Sequence, residues 1–160
     1  MPKAPAAESS DVRVIADNRR AHYDYFVDER VEAGLVLSGT EICAIRAGRV
    51  HLREAYARIE HGECMLFQMH VGAYDFGNRW NHDPTRPRKL LLHRDEIDEL
   101  WRYARQGGHT LIPLRLYLKR GRAKVELGLC RGKHEYDKRA VLMEKERQRD
   151  VERALADRRG

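Results

Sequence analysis

LIPLRLYLKRGRAKVELGLC, residues 111–130, is apolar at alternate positions on both sides of Arg120-Gly121. Ile112, Leu114, Leu116 and Leu118 mark one arm, and Ala123, Val125, Leu127 and Leu129 mark the other. A repeat of two is the repeat of an extended strand, whose successive side chains point to opposite faces. The Arg-Gly pair between the arms carries the residue type that a tight hairpin turn needs. A long antiparallel hairpin is therefore predicted.

Upstream, Tyr56 to Ile59 and Met65 to Met69 flank Glu60-His61-Gly62-Glu63 and predict a second hairpin. Tyr23 to Leu37 reads as strand, with a break or bulge at Gly34. Ser38 or Thr40 can cap a short helix from Glu41 to Ala47, with Ile42 and Ile45 facing a core and Gly48 ending it. His93 to about Arg105 is a clearer helix, because Ile97, Leu100, Trp101 and Ala104 make one stripe. Asp95 and Glu96 stand in its first turn, where the helix dipole favours anions, and Gly107-Gly108 stops it. Tyr74 to Arg88 has no period and is expected to be a loop.

The ends differ from this middle. Met1 to about Val12 is rich in Ala, Pro and Ser and reads as a flexible lead. From Arg131 to Gly160, 17 of 30 residues are charged, with a net of +3, and Val141, Leu142, Met143, Val151 and Leu155 form no sustained stripe. A helix with so little to bury is marginal in water, so the tail is expected to be disordered in isolation and helical on a partner. A mainly β architecture results: a small β-barrel, short helices and a tail.

Composition narrows the function. The chain is 42% hydrophobic and 35% charged, with a formal net charge of +6 and a pI near 9.4, a balance that attracts polyanions. Cys43, Cys64 and Cys130 form no CxxC pair and suit a reducing compartment. No signal-peptide core or membrane-length apolar run is present in the sequence, and a cytoplasmic location is expected.

The sequence holds no P-loop, GxGxxG, HExxH or GxSxG. His70, Asp75, His82 and Asp83 match no standard metal-ligand spacing, although a metal-dependent nuclease using His70, Asp75 and His82 stands as one rival function. Basic residues cluster instead. Asn18-Arg19-Arg20, then Arg86, Arg88 and Lys89, then Lys119, Arg120, Arg122 and Lys124, then Arg131, Lys133, Lys138 and Arg139, can merge on a barrel into one phosphate-tracking face. Tyr23 and Tyr136 can stack on unpaired bases. The bland alternative is that charged turns serve solubility, and a generic basic RNA-binding or ribosome-associated barrel is the main rival, ahead of the nuclease.

Literal segments carry more. Asn18-Arg19-Arg20-Ala21, Asp24-Tyr25, Glu32-Ala33-Gly34-Leu35, Gly39-Thr40-Glu41 and Arg46-Ala47-Gly48 resemble the opening of the small protein B family, bacterial partners of transfer-messenger RNA (tmRNA). Asp83-Pro84-Thr85-Arg86-Pro87-Arg88-Lys89-Leu90-Leu91-Leu92 looks like the family's central signature. Gly132-Lys133 and Tyr136-Asp137-Lys138-Arg139 are similar to its junction between barrel and tail. The segments stand in family order, from about Val14 to Arg153.

The resemblance implies a closed barrel of the oligonucleotide-binding (OB) type over residues 13–131, with two or three short helices, and a basic tail over 132–160 that is helical on the ribosome. It implies a monomer that is not an enzyme and needs no cofactor or metal. Such a protein binds the tRNA-like domain of tmRNA and, alongside elongation factor Tu, delivers it to stalled ribosomes for trans-translation. By the same carry-over, Asn18, Arg19, Tyr23, Glu32, Arg46, Lys89, Leu91, Lys124 and Lys133 are expected to hold the RNA. Cations would meet phosphates, whereas Asn18 and Glu32 would hydrogen-bond sugar or base edges. Glu32 needs a specific donor, either on the RNA or inside the protein.

The resemblance also places Tyr136, Asp137, Lys138 and Arg139 at the 16S rRNA decoding centre and Arg147, Arg149 and Arg153 along the empty mRNA channel. Three departures stand out. His22-Tyr23 replaces the family's usual Arg-His, His134 replaces a lysine, and no tryptophan lies near Arg149.

Overall fold

The alternating stretch around Arg120-Gly121 organises everything packed against it. The computed structural model describes residues 11–74, 81–133 and 135–159, and of residues 135–141 and 157–159 it describes the backbone alone. In chain order it holds β1 (Val12–Asp17), α1 (Arg19–Asp24), β2 (Tyr25–Leu35), α2 (Gly39–Arg46), β3 (Val50–His51), β4 (Tyr56–Glu60) and β5 (Glu63–Phe67). After these come β6 (His70–Val71), β7 (Arg88–Leu91), α3 (Arg94–Ala104), β8 (His109–Lys119), β9 (Arg122–Gly132) and α4 (Glu135–Arg159).

Both hairpins form as predicted. β8 and β9 pair from His109↔Arg131 to Lys119↔Arg122. Arg120 and Gly121 turn between them at φ 52 and 78. β4 and β5 pair from Tyr56↔Phe67 to Glu60↔Glu63, turning at His61 and Gly62, φ 51 and 77. Positive φ at both central residues gives a turn whose twist matches that of the flanking strands.

The strands run β8-β4-β5-β7-β2-β9, and β9 pairs back onto β8, so the sheet closes on itself in the manner of an OB-like barrel. β1 pairs with β8 beside β4. Ala33, Leu66, Leu90, Leu111, Leu116, Val125 and Leu127 fill the interior together with Ile45 of α2 and Leu100 of α3. A smaller cluster of Ala21, Ile112, Leu114 and Cys130 packs separately. Ile112 and Leu114 sit on the strand face opposite Leu111 and Leu116, so α1 lies on the outside of the wall.

α2 begins at Gly39, with Ser38 as its cap. The Ser38 hydroxyl accepts from the Glu41 N–H, and the Glu41 carboxylate accepts from the Ser38 N–H. Glu41 then goes further, since its carboxylate also takes hydrogen bonds from Arg86 and Arg88. Arg88 in turn donates to the carbonyls of Met69 at 2.7 Å and Pro84 at 3.2 Å. Burial pushes the Glu41 carboxyl up, but these donors outweigh it and hold its pKa at about 2.

Several expectations need correcting. Tyr23 and Asp24 end a short helix, and the strand starts at Tyr25; six residues are too few to show a helical period. The bulge in β2 lies between Val27 and Glu29 rather than at Gly34, because β9 opposite sets where the ladder slips. Gly34 serves another purpose: a Cβ there would lie 3.2 Å from the Leu91 Cβ. Arg88 to Leu91 form a strand where the proline-rich run before them reads as loop. No correction falls on the tail, which forms α4 with its described side chains, Leu142 to Ala156, exposed, a helix that buries little of its own.

Candidate nucleic-acid interface

The outer wall of β7, β2, β9 and β8 gathers four of the nine expected RNA contacts. Residues directly opposite on antiparallel strands point to the same side. One row across the wall therefore reads Leu91, Gly34, Lys124, Tyr117. The next row reads Glu32, Glu126, Arg115. Leu91 is 53% exposed although flanked by buried Leu90, and Lys89 two residues back points the same way. Glu32, Lys89, Leu91 and Lys124 thus come together, from segments as far apart as β2 and β9.

Glu32 finds its donor within the protein. The buried Tyr117 hydroxyl donates to its Oε2, and Lys119 Nζ lies 3.6 Å from its Oε1. Burial, and then the hydrogen bond to Glu32, push the Tyr117 phenol well above its ordinary range, so it remains a neutral donor at physiological pH. Lys124 has no ion-pair partner among the described residues. Lys89 pairs with Glu63 at 3.1 Å with both side chains about half exposed, a bond that stabilises little and can give way to a phosphate.

A second group forms around α1. Asn18 is 4% exposed, and its side chain is consumed inside. Its Nδ2 donates to the carbonyls of Leu52 and Pro113 at 3.3 and 3.0 Å, and its Oδ1 accepts from the Ala21 N–H that it caps. The expected sugar or base contact from the Asn18 amide does not fit this burial. What Asn18 does is fix α1 to the wall, with Arg19 and Tyr23 exposed on it.

Lys133 joins this group by donating from Nζ to the His22 carbonyl at 3.1 Å, with its ammonium 5.0 Å from the Phe26 ring centroid. Arg131 covers the same ring at 5.3 Å and pairs with Asp28. Phe26, 39% exposed, escaped the sequence because an outward phenylalanine looks like any other strand apolar residue.

Other candidates separate from these groups. Arg86 and Arg88, part of the basic signature, turn inward onto Glu41. Arg46 is exposed at the end of α2, where its carbonyl accepts from Arg13 at 3.5 Å. Arg147, Arg149 and Arg153 are exposed on α4; the last two are one turn apart and share a face. Tyr136, Asp137, Lys138 and Arg139 have side chains outside the described residues, as does His134 entirely.

The nuclease triad does not assemble among the described residues. Both His82 ring nitrogens are engaged, one with Thr40 Oγ1 at 2.9 Å and one with the Val71 carbonyl at 2.9 Å. His70 stacks on His51 with ring centroids 4.5 Å apart, and Asp75 lies outside the described residues. No group of three metal-capable side chains occurs among the described residues. Burial pushes the thiols of Cys64 and Cys130 up to about 12 and about 11, far from a nucleophile's range. No helix among the described residues is long and apolar enough to cross a membrane.

A strand wall bearing cations, an exposed leucine and a held carboxylate, on a closed OB-like sheet, defines a nucleic-acid-binding class of β protein. The chain matches the family described as SmpB protein over residues 15–157. It is 56% identical over 149 residues to the SsrA-binding protein of Desulfitobacterium hafniense, covering 93% of this chain and 96% of that one. To the SsrA-binding protein of Bacillus cytotoxicus it is 58% identical over 146 residues, covering 91% and 94%. Among solved structures it is similar to a chain of "tmRNA-SmpB: a journey to the center of the bacterial ribosome", with TM-score 0.65 and 45% identity over 79% of this chain and 87% of that one. The chain belongs to the SmpB family.

Proposed function

We propose that this chain is an SsrA-binding protein of trans-translation, which binds the tRNA-like domain of tmRNA and brings it to stalled ribosomes. Its relatives carry that name over nearly their whole length, and the family is one of RNA-binding proteins rather than enzymes. The observation that carries the assignment to a surface is the convergence of Glu32, Leu91 and Lys124 on adjacent rows of one wall.

On that wall and the neighbouring α1 group, Lys124, Lys89, Arg19 and Lys133 neutralise phosphates, Leu91 and Tyr23 offer apolar and aromatic contact to exposed bases, and Glu32 accepts from a base amine or 2′-hydroxyl. Because Tyr117 and Lys119 already fix the Glu32 carboxylate, it is oriented before RNA arrives. Asn18 acts by placing α1, and Arg46 contacts the same RNA from the end of α2. The protein works as a cytoplasmic monomer, with elongation factor Tu on the same tmRNA.

The tail takes the part that tmRNA lacks. Tyr136, Asp137, Lys138 and Arg139 reach the decoding centre, and α4 lies in the empty mRNA channel with Arg147, Arg149 and Arg153 against 16S rRNA phosphates.

The test is a competition gel shift at fixed, near-physiological salt, with labelled tRNA-like domain challenged by excess bulk tRNA. Survival of the complex, and its loss in Glu32→Ala, is the expected result. Equal competition by bulk tRNA would reduce the function to generic RNA binding.

A further inference from the structure

Between the two groups on the outer wall stands an arrangement that neither uses. Glu126 on β9 receives two guanidinium groups at once. Arg30 of β2 donates from Nη1 to Oε1 at 3.1 Å, and Arg115 of β8 donates from Nη2 and Nε to Oε2 at 2.7 and 3.2 Å. The carboxylate is mostly covered, at 13% exposure, whereas Arg30 and Arg115 are 55% and 40% exposed. We propose that Arg30 and Arg115, held in place by Glu126, form an additional binding site for the ribose-phosphate backbone of the RNA.

Position is the first argument. Asn18 ties α1 to β8 at Pro113 and Leu114, and Lys124 stands opposite Tyr117 on the same strand. Pro113 and Tyr117 flank the β8 bulge and face Leu127 and Lys124 of β9, three residues or roughly 10 Å apart at the rise of a strand, a gap wider than one phosphate contact. Arg115 sits midway across it on the outward face, level with Glu126 and Glu32. An RNA backbone that runs along the wall from α1 to Lys124 crosses this pair.

Chemistry is the second. One carboxylate needs only one cation, and Arg115 already supplies it with two hydrogen bonds. Two guanidiniums on one carboxylate leave a net positive charge fixed on the wall. Both retain N–H donors, since Arg30 commits Nη1 alone and Arg115 commits Nη2 and Nε. Arg115 also lies 5.9 Å from the Tyr117 ring, whose hydroxyl holds Glu32. Held this way, the two forks lose less freedom when they meet phosphate oxygens, the geometry a guanidinium matches best.

The proposal rests on RNA binding by this wall, and its test separates the two. Binding of the tRNA-like domain is measured as a function of salt for wild type, for Arg30→Gln/Arg115→Gln, and for Lys124→Ala, with thermal melts of each. The double variant keeps hydrogen-bond donors beside Glu126 but removes both cations from a mostly covered carboxylate, so it is expected to fold with a lowered melting temperature. It should bind at least about tenfold more weakly at fixed salt, and its plot of log affinity against log salt should be shallower by about 1.4 to 1.8. If it fails to fold, Arg30→Gln alone leaves the Arg115–Glu126 pair whole and should lower the slope by about 0.7 to 0.9. An unchanged slope beside a lowered one in Lys124→Ala makes the pair a plain ion bridge and overturns the proposal. Unchanged binding in all variants overturns it and moves the RNA to another face as well.

Discussion

Glu41 and Arg88 are 47 residues apart in the chain and pair with neither side chain meeting solvent. The contact ties the cap of α2 to the start of β7, and through Arg88 to the carbonyls of Met69 and Pro84. Removing one member strands the other. Glu41→Gln is expected to destabilise the fold by about 3–5 kcal/mol, read as a lowered denaturant midpoint.

The same carboxylate gives the protein an acid limit. Its pKa is depressed to about 2 from an ordinary 4.5, so its contribution is complete above about pH 4.5 and is lost as pH falls toward 2. The loss is on the order of 3 kcal/mol. Stability measured at steps between pH 5 and 2 should fall more steeply in wild type than in Glu41→Gln. Parallel curves would place the acid sensitivity in another carboxylate.

Gly128 of β9 lies directly against Leu114 of β8, which packs with Ala21 of α1. A Cβ there would stand 2.9 Å from Leu114 Cδ1 and 3.0 Å from Cys130 Sγ, and both neighbours are fully buried. Neither can step aside, so Gly128→Ala should cost about 1–3 kcal/mol in a denaturant melt. Because Leu114 and Ala21 share one cluster, α1 should loosen with it, seen as faster amide exchange over Arg19–Asp24.

The hairpins and α3 were legible because their signal is local: apolar residues recur at the period of the element itself. α1 was not, since Ala21 is its only buried residue and its cap works through carbonyls of Leu52 and Pro113, far along the chain. The site was half legible for a similar reason. Residue type announces a cation, but direction depends on partners. Arg88 and Lys89 are neighbours in sequence, yet one turns inward to Glu41 and the other outward to Glu63. Strand alternation separates the two, but the partner of Arg88 can be found only across the fold.

Tyr117 offers a test of how the Glu32 carboxylate is held. Tyr117→Phe removes one donor and leaves Lys119 beside a carboxylate that is itself 42% exposed, so no buried charge is stranded. The melting temperature should change little. Affinity for the tRNA-like domain should fall by roughly threefold to tenfold, the worth of orienting a charged acceptor. Wild-type affinity would mean that Glu32 needs no such support.

The tail should separate binding from rescue. Its described side chains, from Leu142 to Ala156, are exposed, so removing them uncovers no core. Glu32, Leu91 and Lys124 stand on β2, β7 and β9, all ahead of the tail in the chain. Truncation after Arg139 is therefore expected to leave the melting temperature and the tmRNA gel shift near wild type. If α4 is what reaches the mRNA channel, the same protein should fail to support peptide tagging on stalled ribosomes. Restoring charge with Arg147, Arg149 and Arg153 in place should recover it, and replacing all three by Gln in the full chain should not. Loss of tmRNA binding together with tagging would instead put the tail on the RNA.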